Sequence, residues 1–95
     1  MRIALVDDDR IQLEVLSKMV AAELEKCRYQ ENVIDVFESG EAFLAKWYAD
    51  TYDIIILDIF MDELSGVETA RKIRETDQTV RLVFCTTSNE FASES

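Results

Sequence analysis

The side chains in this sequence that can do chemistry are mostly carboxylates. Asp7, Asp8 and Asp9 follow one apolar run, Asp58 closes another, and Thr86 and Thr87 close a third. The chain has no histidine, which removes His-based zinc sites, Ser-His-Asp triads and any imidazole base. Carboxylates, hydroxyls and thiols remain. If Asp7, Asp8 and Asp58 share a small volume, they repel: two unit charges ~4 Å apart cost roughly 4 kcal/mol at an effective dielectric of 20. A cation or a proton relieves that repulsion, and oxygen-only donors select a hard ion, Mg²⁺ first. An ionised carboxylate beside such an ion suits in-line phosphoryl transfer, with Asp58 as a nucleophile that needs no general base. A hydroxyl at Thr86 or Thr87 could then donate to an anion held on Asp58. The plain alternative is structural, with Asp9 capping a helix, Asp7 and Asp8 solvated beside it, and Asp58 forming a turn. There is no Gly-x-Gly-x-x-Gly and no Walker loop, and Gly40 and Gly66 are the only glycines, so a nucleotide has no cradle. The expected donor is a small phosphoryl compound or another protein.

For these acids to meet, the chain must carry them to one rim. Ile3 to Val6, Val33 to Phe37, Ile54 to Leu57 and Val80 to Cys85 are short runs rich in Ile and Val, separated by helical patterns. That rhythm predicts an α/β fold with a doubly wound parallel sheet. Ile54-Ile55-Ile56-Leu57 does not alternate with polar residues, as expected for a central strand covered on both faces, while Asp35 places the second run at an edge. In such a sheet ligands bind beyond the carboxyl ends of the strands, and the order 2-1-3-4 makes the first and third strands neighbours. Leu13, Leu16, Val20, Leu24 and Cys27 form one apolar stripe on a helix from about Arg10 to Lys26, with Asp9 as its cap. A second helix starts near Ser39-Gly40-Glu41 and stacks Phe43, Leu44, Trp47 and Tyr48, with Trp47 read as core. A third starts at the capping box Ser65-Gly66-Val67-Glu68, presents Val67, Ala70 and Ile73, and ends near Thr76-Asp77.

A chain of 95 residues supports one domain. Twenty acidic against ten basic side chains give a formal charge of −10, so direct nucleic-acid binding and an anionic membrane surface are both disfavoured. No apolar run approaches the ~20 residues that span a bilayer, and the start does not read as a signal peptide, which gives a cytoplasmic expectation. Cys27 and Cys85 match no metal or redox spacing and are expected as small buried hydrophobes. Residues 88–95 open what reads as another helix and stop, so the domain is expected to span 1–95 and to be truncated at the start of a fourth helix.

These residues together resemble the receiver domain of two-component response regulators. Val6-Asp7-Asp8, Leu57-Asp58-Ile59-Phe60-Met61, Gly66 eight residues past Asp58, and Thr86 at the fourth strand's end carry the resemblance. It implies a flavodoxin-like fold without its fifth βα unit, and a phosphoacceptor at Asp58 charged from a phosphohistidine on a sensor histidine kinase. It further implies that Asp8, Asp58 and the backbone carbonyl of Phe60 ligate Mg²⁺, that Asp7 acts through water, and that Thr86 is the switch hydroxyl. Such a module catalyses at most its own phosphorylation and dephosphorylation. The stretch from Phe84 to Ala92 is similar to receivers that precede LytTR-type DNA-binding domains, so a transcription regulator with its DNA-binding part elsewhere is implied. Three departures stand out. Asp62 replaces the family's usual Pro, Phe60 offers no polar side chain to place a hydrolytic water, and the fifth unit with its phosphoryl-binding Lys is missing. The expected consequences are a long-lived acyl phosphate, Mg²⁺ binding with poor phosphate acceptance, and homodimer pairing through an uncovered fourth strand. Two other readings compete: a receiver-like interaction module that never takes phosphate, and a Mg²⁺-dependent phosphatase using Asp58 covalently.

Overall fold

A computed structural model describes residues 1–27, 31–49, 51–59 and 65–85. Strands and helices alternate as β1 (Arg2–Val6), α1 (Arg10–Lys26), β2 (Val33–Phe37), α2 (Gly40–Lys46), β3 (Ile54–Asp58), α3 (Gly66–Thr76) and β4 (Arg81–Cys85). The strands form one parallel sheet in the order β2-β1-β3-β4, with Val6 level with Phe37 on one side and Leu57 on the other. This is the expected α/β architecture.

Strand alternation divides the core in two. Ala4, Val6, Ile55 and Leu57 face α2 and α3, where they pack with Phe43, Tyr52, Ala70, Ile73 and Val80. Ile3 and Leu5 face α1 and meet Leu13 and Leu24. The first layer is the more completely closed. Ile55 and Leu57 are fully buried, whereas Ile54 and Ile56, pointing the other way, are half-buried. The sequence-based expectation of helices covering both faces of the third strand therefore holds for one face among the described residues.

The helix starts follow the cap chemistry. The Asp9 carboxylate accepts from the N–H groups of Ile11 and Gln12, Ser39 Oγ from Ala42, and Ser65 Oγ from Glu68. Two details differ from the periodic reading. α2 ends at Lys46, so Trp47 becomes its C-cap and Tyr48 lies outside the helix, 75% exposed. Trp47 still stacks on Phe43 at 6.1 Å, and Phe43 also meets Phe37 edge-on at 5.1 Å. Cys27 is exposed rather than buried, because it caps the end of α1 after the stripe has left the sheet.

At the edge strand β2, Asp35 is satisfied from within. Tyr52 donates its hydroxyl hydrogen to Asp35 Oδ2 at 2.7 Å, and burial together with that bond pushes the Tyr52 phenol up to about 12. Among the described residues no helix is long and apolar enough to cross a membrane.

Candidate functional site

The site is built where β1 and β3 end side by side. Since Val6 pairs in register with Leu57, the next residues stand at the same level, Asp7 just past β1 and Asp58 at the end of β3. One carboxylate oxygen from each of Asp7, Asp8 and Asp58 lies within 4.8 Å of the others. Asp7 is 4% exposed and Asp58 8%, while Asp8 stands in solvent.

Local hydrogen bonds fix the first acid. The Asp7 N–H donates to the Phe37 carbonyl at 3.1 Å, which ties it to the end of β2. Its Oδ1 accepts from the Asp9 N–H at 2.9 Å. Burial holds the Asp7 carboxyl above its ordinary value; the Asp9 N–H opposes this, and the neighbouring Asp8 charge adds to it. Asp9 takes the other course. Its carboxylate is spent on the α1 cap, so of the triplet Asp7-Asp8-Asp9 two members join the cluster and one is structural.

The start of α3 packs closely against the end of β3. Gly66 donates its N–H to the Ile59 carbonyl at 3.1 Å, and a Cβ on Gly66 would lie 2.1 Å from the Asp58 carbonyl oxygen. Only a residue without a side chain lets α3 begin this near the acid.

Cys85, read from the sequence as a buried hydrophobe, sits in register with Asp58 on the neighbouring strand and is half-buried. Burial raises its thiol first, and the charges of Asp58 and Asp7 raise it further. Its place directly before Thr86 at a strand tip was the available signal. Phe60, Asp62, Thr86 and Thr87 lie outside the described residues.

The donor set suits one class of ion. Among the described residues the set is three carboxylates with no nitrogen or sulfur ligand, which matches a hard divalent cation such as Mg²⁺. Burial, more than the neighbouring Asp8 charge, holds the Asp7 carboxyl above its ordinary value. A cation held at this cluster would favour the ionised form of its acids.

Known proteins bear on the same residues. Sensory transduction protein LytR of Staphylococcus haemolyticus is 39% identical over 61 residues, which is 64% of this chain and 24% of that protein. The chain thus spans about a quarter of this curated relative. Among solved structures, the response regulator TrrA of Thermotoga maritima, in complex with Mg²⁺-BeF, superposes with a TM-score of 0.79 at 32% identity, covering 98% of this chain and 75% of that one. A structure of the histidine kinase ThkA in complex with TrrA matches with a TM-score of 0.74 at 34% identity, over 90% of this chain and 68% of that one. Residues 3–94 match the response regulator receiver domain family. With the 2-1-3-4 sheet and the acids at the ends of β1 and β3, the chain belongs to that family, a signalling module of two-component systems.

Proposed function

We propose that the chain is the phosphoacceptor of a two-component pathway, in which Asp58 receives a phosphoryl group from a histidine kinase in the cytoplasm and switches an output, transcription, in a longer protein. The observation that carries this reading is Asp58 itself: an acid ending an apolar strand, 8% exposed, with Asp7 and Asp8 oxygens within 4.8 Å. The kinase complex of TrrA supports the class of donor.

Asp58 supplies the nucleophile. A carboxylate Oδ bonds to phosphorus in line as the phosphorus–nitrogen bond of a phosphohistidine breaks, and the electron pair of that bond leaves with the imidazole nitrogen. When bound at the rim, Mg²⁺ would supply charge neutralisation toward the incoming phosphoryl oxygens. Asp8, Asp58 and the Phe60 carbonyl would hold the ion, as the family resemblance implies, with Asp7 acting through water. Asp7, fixed by Phe37 and Asp9, keeps its oxygens aimed into the cluster. Gly66 keeps the Asp58 backbone where the rim needs it. Thr86, by the family resemblance, would donate its hydroxyl hydrogen to the phosphoryl group.

The test is intact-mass spectrometry after incubation with acetyl phosphate and Mg²⁺. A fraction of the wild-type chain gains one phosphoryl mass, in keeping with poor acceptance, and Asp58→Asn gains none. An adduct that survives in Asp58→Asn, or none in either protein, overturns the assignment.

A further inference from the structure

Strands of a parallel sheet end, and the helices that follow them begin, at one rim, so a residue's place in its element decides which end of the molecule it serves. Among the described residues Arg10 is the one cation at the end that holds Asp7, Asp8 and Asp58. Arg2 and Arg81 open strands at the opposite end, and every other described lysine or arginine of a helix stands at its middle or beyond it. Arg10 is the first residue of α1 and comes two positions after Asp8.

Its side chain turns away from those acids. Arg10 Nε donates to Glu38 Oε1 at 2.7 Å, just past the end of β2 and so on the side of β1 away from β3. Arg10 lines a groove there with Leu13, Val36 and Phe37. The backbone beside it is fixed independently, by the Asp7 N–H on the Phe37 carbonyl and the Asp9 N–H on Asp7 Oδ1. What Glu38 settles is therefore the direction of the Arg10 side chain.

That direction matters because three carboxylates with oxygens within 4.8 Å of one another attract a guanidinium as they attract a divalent ion. An arginine settled on Asp8 would occupy oxygens that the ion needs and set a positive charge beside it. Glu38 offers a competing carboxylate on the far side. With the Arg10 side chain 82% exposed and that of Glu38 54%, the pair adds little to stability, so its consequence lies in where it places the charge. Glu14, one turn along α1, is a second acid within range, but a cation that precedes an acid at i,i+4 is in the less favourable order.

We propose that Glu38 is a positioning residue of the ion site: it holds the Arg10 cation on the β2 side and so keeps the oxygens of Asp7, Asp8 and Asp58 open to a divalent ion. This role rests on the cluster being a Mg²⁺ site, and the two fail differently. A wild-type chain that takes up no Mg²⁺ overturns both, whereas the variants below overturn only the role of Glu38.

Calorimetric titration of magnesium chloride into the chain at about 0.15 M salt reads that role through a double-mutant cycle. Glu38→Ala is expected to weaken Mg²⁺ binding about fivefold, the effect of one exposed charge contact. Arg10→Gln is expected to bind Mg²⁺ at least as tightly as wild type, and adding Glu38→Ala to it to cost less than about twofold. Without Mg²⁺ the single variants should melt within a few degrees of wild type, which separates the effect from lost folding. Equal losses from Glu38→Ala in both backgrounds mean that Glu38 acts by its own charge alone and overturn the proposal. A loss of affinity in Arg10→Gln by itself also overturns it, since the pair would then be a brace for the turn into α1. So does an unchanged affinity in Glu38→Ala, the result expected if Arg10 moves to Glu14.

Discussion

At the scale of single residues, Asp7 carries a charge its surroundings disfavour. Its folded pKa is raised, so its contribution to stability is complete at low pH and is lost as pH rises through the folded value. At pH 7 the ionised Asp7 therefore costs stability. Asp7→Asn keeps an oxygen for the Asp9 N–H and drops the charge. Urea denaturation at pH 7 should show it more stable by roughly 1 kcal/mol, the low end of the gain from replacing a poorly compensated buried charge, with the gain fading at acid pH and magnesium bound more weakly. A variant no more stable than wild type at pH 7 would mean that the local hydrogen bonds already offset the burial. Asp7, Asp8 and Asp58 were legible in the sequence because an acid that follows an apolar strand has few places to go. Cys85 and Asp77 were not. Asp77 is 4% exposed because its carboxylate closes the turn into β4, accepting from the Thr79 N–H at 2.9 Å, the Thr79 hydroxyl at 3.0 Å and the Val80 N–H at 3.0 Å. That burial comes from the turn and from nothing periodic in the sequence.

At the scale of elements, the β3–α3 connection is where a small change does most. Gly66→Ala places a Cβ 2.1 Å from a backbone oxygen, and backbone yields less readily than the end of a side chain. The expected loss is about 2 kcal/mol, within the usual cost of overpacking, and it moves the Asp58 backbone. Thermal denaturation gives the first effect and a magnesium titration the second. A stable Gly66→Ala with unchanged affinity would show that the loop relaxes at no cost to the rim. The spacing of Gly66 from Asp58 could be read from the sequence, but the contact that demands glycine could not, since it depends on how α3 docks. Strand order was legible for the opposite reason. Apolar runs, a charge in β2 and right-handed crossovers through the helices leave few parallel arrangements. α2 shows the limit of periodicity, because the pattern continued through Tyr48 while the helix stops at Lys46 and sends Tyr48 into solvent.

At the scale of the whole molecule, a net charge of −10 on 95 residues acts against compactness. The ion pairs described, Arg10 with Glu38 at 2.7 Å and Lys26 with Glu23 at 3.3 Å, are exposed and offset little of it. Raising sodium chloride from about 0.01 to 0.15 M shortens the screening length from about 30 to 8 Å and should raise the melting temperature by a few degrees. A falling melting temperature would mean that attractions dominate. The rim has a further consequence at this scale. Its three oxygens come from chain segments that are neighbours in space and remote in sequence, so unfolding scatters them and must expel whatever they hold. Ion occupancy and folding are then linked. Each decade of magnesium above the dissociation constant deepens the native well by roughly 1.4 kcal/mol. Chelation should lower the melting point of wild type and leave Asp58→Asn nearly unmoved, which makes the ambient magnesium level one of the terms that decides how often β1 and β3 part.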